Sequence, residues 1–340
     1  MIGEAVTSTA SARPSAAPTG VWSAIGWLTV IGGGGLWALY RLGYSGAWPV
    51  VVLQSALPIL LVPSGAVVAL ALVTRRRVLA GAAAIVAMAS LTVIVPLVVP
   101  RSRPGWVAHA PTLRVLEANL YYDNGRKPEA VRRLLAADAD VLVLAEVNRS
   151  WLVAFADGGL DDRYPFQITR PSERGGFGSA ILSKVRPDQT AVGSASGRPM
   201  LSAALTVGSR RVEIVAVHTQ SPSLPVDLDH WRRDIAAADA RRDDASDGSR
   251  VMLVGDFNAT YWHAPFRRLL TGGWHDAHQT LGQGMDASWP NLGALGAVLG
   301  PFTRLDHAVT SPGVVATKVS ELGIPGSDHR GFVVTVALGP

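Results

Sequence analysis

In "RVMLVGDFNAT" (residues 250–260), four apolar residues, Val251, Met252, Leu253 and Val254, run into a glycine, an aspartate, an aromatic residue and an asparagine. A short apolar run closed by glycine reads as a buried strand ending in a turn. Alternate side chains of a strand share a face, so Asp256 and Asn258 point the same way while the extended geometry lasts. A carboxylate and an amide delivered together at the end of a buried strand make a candidate site.

Working outward, "LRVLEANL", "DVLVLAEV", "GSAILSK", "MLSAALTV", "RVEIVAVH", "RLDHAVT" and "FVVTVAL" read as further strands. Helical patterning fits residues 128–137 and 227–243. Eight strands with few helices imply two packed sheets rather than one doubly wound sheet. Polar groups collect where these strands end: Asn119, Glu146, His218, Asp256 and Asn258, with Asp306 inside "RLDHAV" and Asp328 and His329 in "GSDHRGF". An ionised carboxylate buried without a partner is costly, so several acids at the ends of apolar strands point to a shared cation. Glu146, Asp256 and Asp328 offer hard oxygen ligands, and Asn119 and Asn258 add neutral amides. A histidine beside such a metal can stabilise phosphoryl oxygens or move a proton, and a carboxylate on its other nitrogen fixes its tautomer. His230, His263, His275, His278 and His307 read as structural. The chain has no cysteine, so thiolate zinc sites and cysteine nucleophiles are excluded, and a metal must be held by oxygen ligands and histidine, which favours Mg, Mn or Ca over a structural zinc.

"EANL", "LAEV", "VHT", "GDFN", "LDH" and "SDHR" stand in the order and at roughly the spacing of the endonuclease/exonuclease/phosphatase (DNase I-like) superfamily, which residues 112–340 resemble. The resemblance implies a four-layer α/β/β/α sandwich and Mg-dependent phosphoester hydrolysis. It implies Glu146 as the principal metal ligand, with Asn119, Asp256 and Asp328 completing the metal site. Asp256 would orient or deprotonate the attacking water, and Asn258 and His218 would hold the phosphate. His329 would pair with Asp306, and the resemblance leaves open whether Asp256 or His329 is the base. Arg330 either binds phosphate or neutralises Asp328. Tyr121 stands where some family nucleases carry another acid, so a second metal site is not expected there.

The net charge of +5 divides unevenly. Residues 1–111 carry seven arginines against one glutamate, and residues 112–340 carry 24 basic against 25 acidic residues. Three runs of about 20 or more residues, 21–40, 48–73 and 78–99, carry no charge, the length a membrane-spanning helix needs. An all-α anchor of three transmembrane helices is therefore expected over residues 21–100, after a disordered 1–20 and before a linker at 101–111. Arg75, Arg76 and Arg77 between the second and third spans should stay cytoplasmic, which places the following domain outside a multi-pass cell-membrane protein. Arg101 and Arg103 run against that orientation.

A near-neutral outer domain gives no bulk support for a nucleic-acid groove, so nucleic acid is not favoured as a partner. Tethering favours a substrate that is itself in the membrane. The long apolar loop at 287–302 packs on the surface, lies against lipid or lines an acyl pocket. The anchor, "GDFNAT" and "PGSDHRG" also resemble the membrane proteins of actinomycete glycopeptide (teicoplanin) resistance, which act on undecaprenyl pyrophosphate. The expected activity is hydrolysis of a lipid-linked phosphate or pyrophosphate at the outer face, linked to cell-wall antibiotic resistance. The alternatives are an extracytoplasmic nuclease and an inactive membrane-tethered binding domain. No protein partner is inferred.

Overall fold

The computed structural model describes residues 19–244, 249–293, 296, 298 and 300–340. Most of the N-terminal stretch expected to be disordered, and part of the apolar loop at 287–302, lie outside the described residues.

Two six-stranded mixed sheets form the larger part of the molecule. The first runs β11 (Val314–Gly323), β12 (Arg330–Leu338), β1 (Thr112–Asn119), β2 (Val141–Ala145), β4 (Ser179–Ser183), β3 (Phe166–Arg170). The second runs β5 (Gln189–Ala195), β6 (Arg198–Val207), β7 (Arg210–His218), β8 (Val251–Asp256), β10 (Asp306–Thr310), β9 (His275–Asp276). The eight strands read from the sequence are the eight interior ones. β3, β5, β9 and β11 escape the sequence reading, and all four are edges. An edge strand pairs on one side only, so it is not held to the unbroken apolar run of a strand buried among neighbours.

The sheets face one another across a core that includes Leu113, Val115, Ile214, Met252, Val254 and Ala308. Helices α6 (Lys127–Ala137), α7 (Arg149–Asp157) and α8 (Leu160–Arg163) cover the outer face of the first sheet, around the fully buried Trp151 and Phe155. Helices α9 (Leu228–Asp244) and α10 (Ala264–Leu269) cover the second, around Trp231 and Phe266. The fold is thus the α/β/β/α sandwich expected. A short helix, α11 (Ala277–Thr280), packs against β10 and β11.

The N-terminal helices are α1 (Thr19–Arg41), α2 (Trp48–Ser55), α3 (Leu57–Leu61), α4 (Pro63–Val73) and α5 (Arg77–Val98). α1 and α5 are long and apolar enough to cross a membrane. On α5 the buried Leu79, Ala83, Val86, Ser90, Val93 and Leu97 recur every three or four residues, as one packed face of a helix must. Gly26 lets α1 approach closely, since a Cβ there would lie 2.8 Å from Leu79 Cδ2. Leu28, Ile31, Ile85 and Met88 are exposed on the other faces, as lipid-facing residues are. The middle run, expected as one span over 48–73, is broken: α2 and the stretch Leu57–Val73 meet at 74°, so a third span exists only if this bent pair counts as one. Pro58 and Pro63 each follow a break, and proline lacks the N–H that would continue the preceding helix.

Residues 101–111, expected as a linker, are docked rather than free. Arg101 N donates to Thr280 O at 2.9 Å and Arg103 Nη2 to Thr317 O at 2.8 Å, and a 3-10 turn spans Gly105–His109. The apolar helices also share one hydrophobic cluster with the outer face of the second sheet.

His263 holds part of that junction. Thr260 N donates to its Nδ1 at 3.0 Å, which leaves the proton on Nε2 to donate to Val51 O at 2.9 Å. Burial pushes the imidazole down to about 4. The unfolded chain therefore binds a proton that the folded chain refuses. This contribution, about 3 kcal/mol from about 1.4 kcal/mol per pH unit, is complete above about pH 6.5. It is lost as pH falls toward 4. Thermal melts between pH 7 and 4 should show an acid loss of stability that is blunted in His263→Gln.

Candidate active site

Strand parity assembles the site. In β8 the residues facing the inter-sheet core are 252, 254 and 256; in β7 they are 212, 214, 216 and 218; in β1 they are 113, 115, 117 and 119. Each stripe is apolar along its length and turns polar at one end, and all these ends lie at the same end of the sandwich. β7 and β8 pair in parallel with His218 opposite Asp256, and β10 pairs antiparallel with β8, placing Asp306 opposite Asp256. β1 and β2 pair in parallel with Asn119 opposite Ala145, so Glu146 follows directly beyond. Gly255 permits this register: its φ is +146° and a Cβ would lie 1.9 Å from Val217 O.

Asp256 is buried and fixed on both oxygens. Asn258 N donates to Oδ1 at 2.8 Å and Asn119 Nδ2 to Oδ2 at 3.1 Å. Asn119 Nδ2 also donates to Glu146 Oε1 at 3.0 Å, while Asn119 Oδ1 accepts from Tyr121 N at 3.0 Å. Asn119, expected beside Glu146 at the metal site, bridges the two carboxylates through its N–H groups while its oxygen accepts from the backbone. Tyr122 N holds Glu146 Oε2 at 2.9 Å. His329 Nδ1 lies 2.8 Å from Asp306 Oδ2, and its Nε2 faces Asp256 Oδ2 at 3.8 Å. Ser327 Oγ accepts from His329 N at 3.0 Å and donates to Asn119 O at 2.7 Å, locking the histidine loop to the end of β1. Asn258 Nδ2 donates to Thr219 O at 3.1 Å, next to His218.

Tyr121, Glu146 and Asn258 have positive φ, at 59°, 60° and 45°. Non-glycine residues reach this region at a cost of about 1–3 kcal/mol, and such strain collects at functional sites. Here it falls on three of the segments that deliver site groups.

The electrostatics follow from burial. Burial, then the charge of Asp306, pushes Asp256 up to about 7. Burial opposes the proton on His329, but the carboxylates of Asp306 and Asp256 outweigh it and hold His329 well above the ordinary range. Asp306 falls below its ordinary value because His329 outweighs its burial. Burial raises Glu146 against its two hydrogen bonds. Burial, with the Arg198 and His329 charges, drives His218 down to about 4, so it meets a ligand as a neutral imidazole.

Asp256, Asp306 and His329 lie close enough together to hold a metal ion. With Nδ1 on Asp306 and its charge retained, however, His329 is a donor pair and a poor ligand. Better suited to a hard cation are Glu146 and Asp328, which line the cleft beside it; Asp328 Oδ1 is buried without a protein partner, as is Asp306 Oδ1. The donor set is oxygen-rich and fits a divalent ion such as Mg or Mn.

The cleft has a volume of about 780 Å³ and is lined by Glu146, His218, Asp256, Asn258, Asp328 and His329 at its acidic end. Arg330 is not among these. It lines a separate cavity with Met285 and Glu321, and its Nε donates to Asn291 Oδ1 at 3.4 Å. Its place on β12 turns it from the cleft that its neighbour His329 enters.

Two residues went unnoticed in the sequence. Glu117 is wholly buried with neither carboxylate oxygen bonded, and burial, then Asp306 and Asp256, raises it well above the ordinary range. Its signal was parity: it continues the core-facing series Leu113, Val115. Arg198 is buried, pairs with Asp234 at 2.9 Å, bonds Gln220 and stacks 4.3 Å from the Phe177 ring, forming the wall behind His218. The expectation that His263, His278 and His307 are structural fits their full burial and hydrogen bonds to Val51 O, Glu321 and Asp276.

A fold of two packed sheets with a strand-end cluster of acids, amides and a carboxylate-paired histidine defines a phosphoesterase-type site. The Endonuclease/Exonuclease/phosphatase family model matches residues 116–329, and the chain belongs to that family. Its members are metal-dependent phosphoesterases and nucleases. Among solved structures, the chain resembles an endonuclease/exonuclease/phosphatase from Beutenbergia cavernae DSM 12333, at 18% identity and a TM-score of 0.53, over 67% of this chain and 72% of that one. It also resembles D. rerio TDP2 complexed with single strand DNA product (16%, 0.54, 66% and 98%) and an endonuclease/exonuclease/phosphatase from Bacteroides vulgatus (14%, 0.54, 67% and 99%). At these identities the likeness establishes the fold alone. No curated protein matches the chain.

Proposed function

We propose that the protein is a membrane-anchored, Mg- or Mn-dependent phosphohydrolase of a lipid-linked phosphate or pyrophosphate, with its cleft on the outer side of the cell membrane. A polyprenyl pyrophosphate of the kind handled by the glycopeptide-resistance proteins it resembles is the preferred substrate. One observation carries this choice over a nuclease. Among the described residues lining the cleft there is no lysine or arginine, and beside the acidic cluster and polar residues such as Gln220 and Ser221 the lining includes Trp48, Val52, Phe177, Trp289, Phe302 and Leu305. A nucleic-acid strand brings a phosphate at every step and calls for cations along its path. A single phosphate head on a hydrocarbon chain does not.

The chain's own residues supply the rest. Asn258 and neutral His218 present N–H groups to the phosphate. His329, tethered through Nδ1 to Asp306, directs Nε2–H into the cleft where charge develops on the phosphoryl oxygens. Asp256, held on one side by Asn258 N and on the other by Asn119, is placed to take the proton of the attacking water. A divalent ion at Glu146 and Asp328 would polarise the phosphoryl oxygen and acidify that water.

The full chain in detergent is expected to release phosphate from a polyprenyl pyrophosphate only with Mg²⁺ or Mn²⁺ present, and to leave plasmid DNA intact. Cleavage of DNA without turnover of the lipid phosphate would sink the proposal.

A further inference from the structure

The apolar segment expected to cross the membrane as one helix instead stops at Ser55 and lies along the cleft. Ser55 O is one of the carbonyls that a helix end leaves without an intrahelical partner. Thr303 Oγ1 bonds it at 2.8 Å from the strand-end loop before Asp306. His263 Nε2 bonds Val51 O, and Trp48 Nε1 donates to Pro222 O at 3.0 Å. The turn before α2 is bound as firmly: Ala264 N donates to Ser45 Oγ at 3.0 Å and Arg232 Nη2 to Ser45 O at 2.7 Å. Helix faces meant only for lipid do not gather polar partners from a folded domain.

This docking gives two neighbouring residues different surroundings. Val51 is fully buried in the cluster shared with the second sheet, while Val52 is 44% exposed; both line the cleft, with Trp48, Ser55 and Ala56. The same cleft reaches Asp256 and His329. Past the break at Ala56, Ile59 and Val62 are 48% and 69% exposed, and Ile59 lines the separate cavity that holds Arg330. The cleft that holds the acidic cluster thus has α2 in its lining, and α2 leads in the chain to the apolar helices α3 and α4.

Resting on the phosphohydrolase reading above, we infer that α2 is a wall of the substrate site. Trp48, Val52 and Ala56 contact the polyprenyl chain of the substrate whose phosphate lies at Asp256 and His329. The anchor then selects for chain length as well as tethering the enzyme. The occupant follows from the lining: the residues that α2 gives the cleft are uncharged, and α2 continues in the chain into the apolar helices.

The test uses the full chain in lipid nanodiscs with Mg²⁺ or Mn²⁺ and two substrates, a long polyprenyl pyrophosphate and a short, water-soluble prenyl pyrophosphate. Wild type should favour the long chain in kcat/KM. Val52→Glu, at a half-exposed position, should lower the long-to-short ratio at least about tenfold, since a charge in an apolar groove opposes the chain and not the head group. Val52→Gln should shift the ratio the same way and serves if Val52→Glu does not fold, while Val52→Leu should preserve it. A ratio that stays within about twofold in both polar variants overturns the inference, whatever the absolute rates do. Wild-type hydrolysis of both substrates without preference also overturns it, leaving the phosphohydrolase standing. Hydrolysis of neither substrate removes the phosphohydrolase reading and the wall with it.

Discussion

In the full-length protein His329→Ala is expected to lower kcat for phosphoester hydrolysis by about 10³-fold, within the range set by loss of a positioned proton donor. The reason lies in its placement. Asp306 Oδ2 holds Nδ1 at 2.8 Å, and the opposite nitrogen is left 3.8 Å from Asp256 Oδ2, at the bottom of the cleft. Asp306→Asn should retain more activity than His329→Ala, because the ring survives while its tether and charge are weakened. Steady-state rates at saturating metal separate the two. Equal activity of His329→Ala and wild type would remove the histidine from the chemistry.

The second large effect is expected from Glu146→Gln. Both oxygens of Glu146 accept hydrogen bonds, from Asn119 Nδ2 and from Tyr122 N, and its backbone is held at a φ of 60°. The substitution keeps the volume, removes the negative charge, and turns one end of the group from acceptor to donor. Affinity for Mg²⁺ or Mn²⁺ should fall about 10²-fold or more, with activity falling in step. Isothermal titration of the metal into the folded chain reads this without reference to turnover. Unchanged metal affinity would move the ion away from Glu146, toward the group of Asp256, Asp306 and His329.

Legibility in the sequence tracked burial. Interior strands announce themselves because both faces and both edges are occupied, which forces continuous apolar runs such as "VLVLA" and "VMLV". The edge strand "FQITR" carries no such run and was invisible. The site residues were legible for a related reason: a carboxylate at the end of an apolar run is conspicuous. Glu117 was not, because an acid inside such a run looks like an interruption until the facing strands show that it points at Asp256 and Asp306. Asn119 was found, but its bonding was not, since only the neighbouring Glu146, Asp256 and Tyr121 decide which end of the amide each one meets. Arg330 adjoins His329 in the chain, yet Arg330 opens β12 while His329 stays in the loop before it, and the two line different cavities.

The sequence alone determined the sandwich, the family and the set of polar groups at its open end, because hydrophobic periodicity and the order of short motifs are properties of the chain read locally. It also marked the apolar runs able to cross a membrane. Only the tertiary structure decided that the middle run breaks at Ser55 and lies against the cleft. Trp48 and Pro222 are 174 residues apart, and Thr303 and Ser55 are separated by 248. No periodicity within residues 48–73 records the partners that cap that helix, because those partners come together only when the two sheets close.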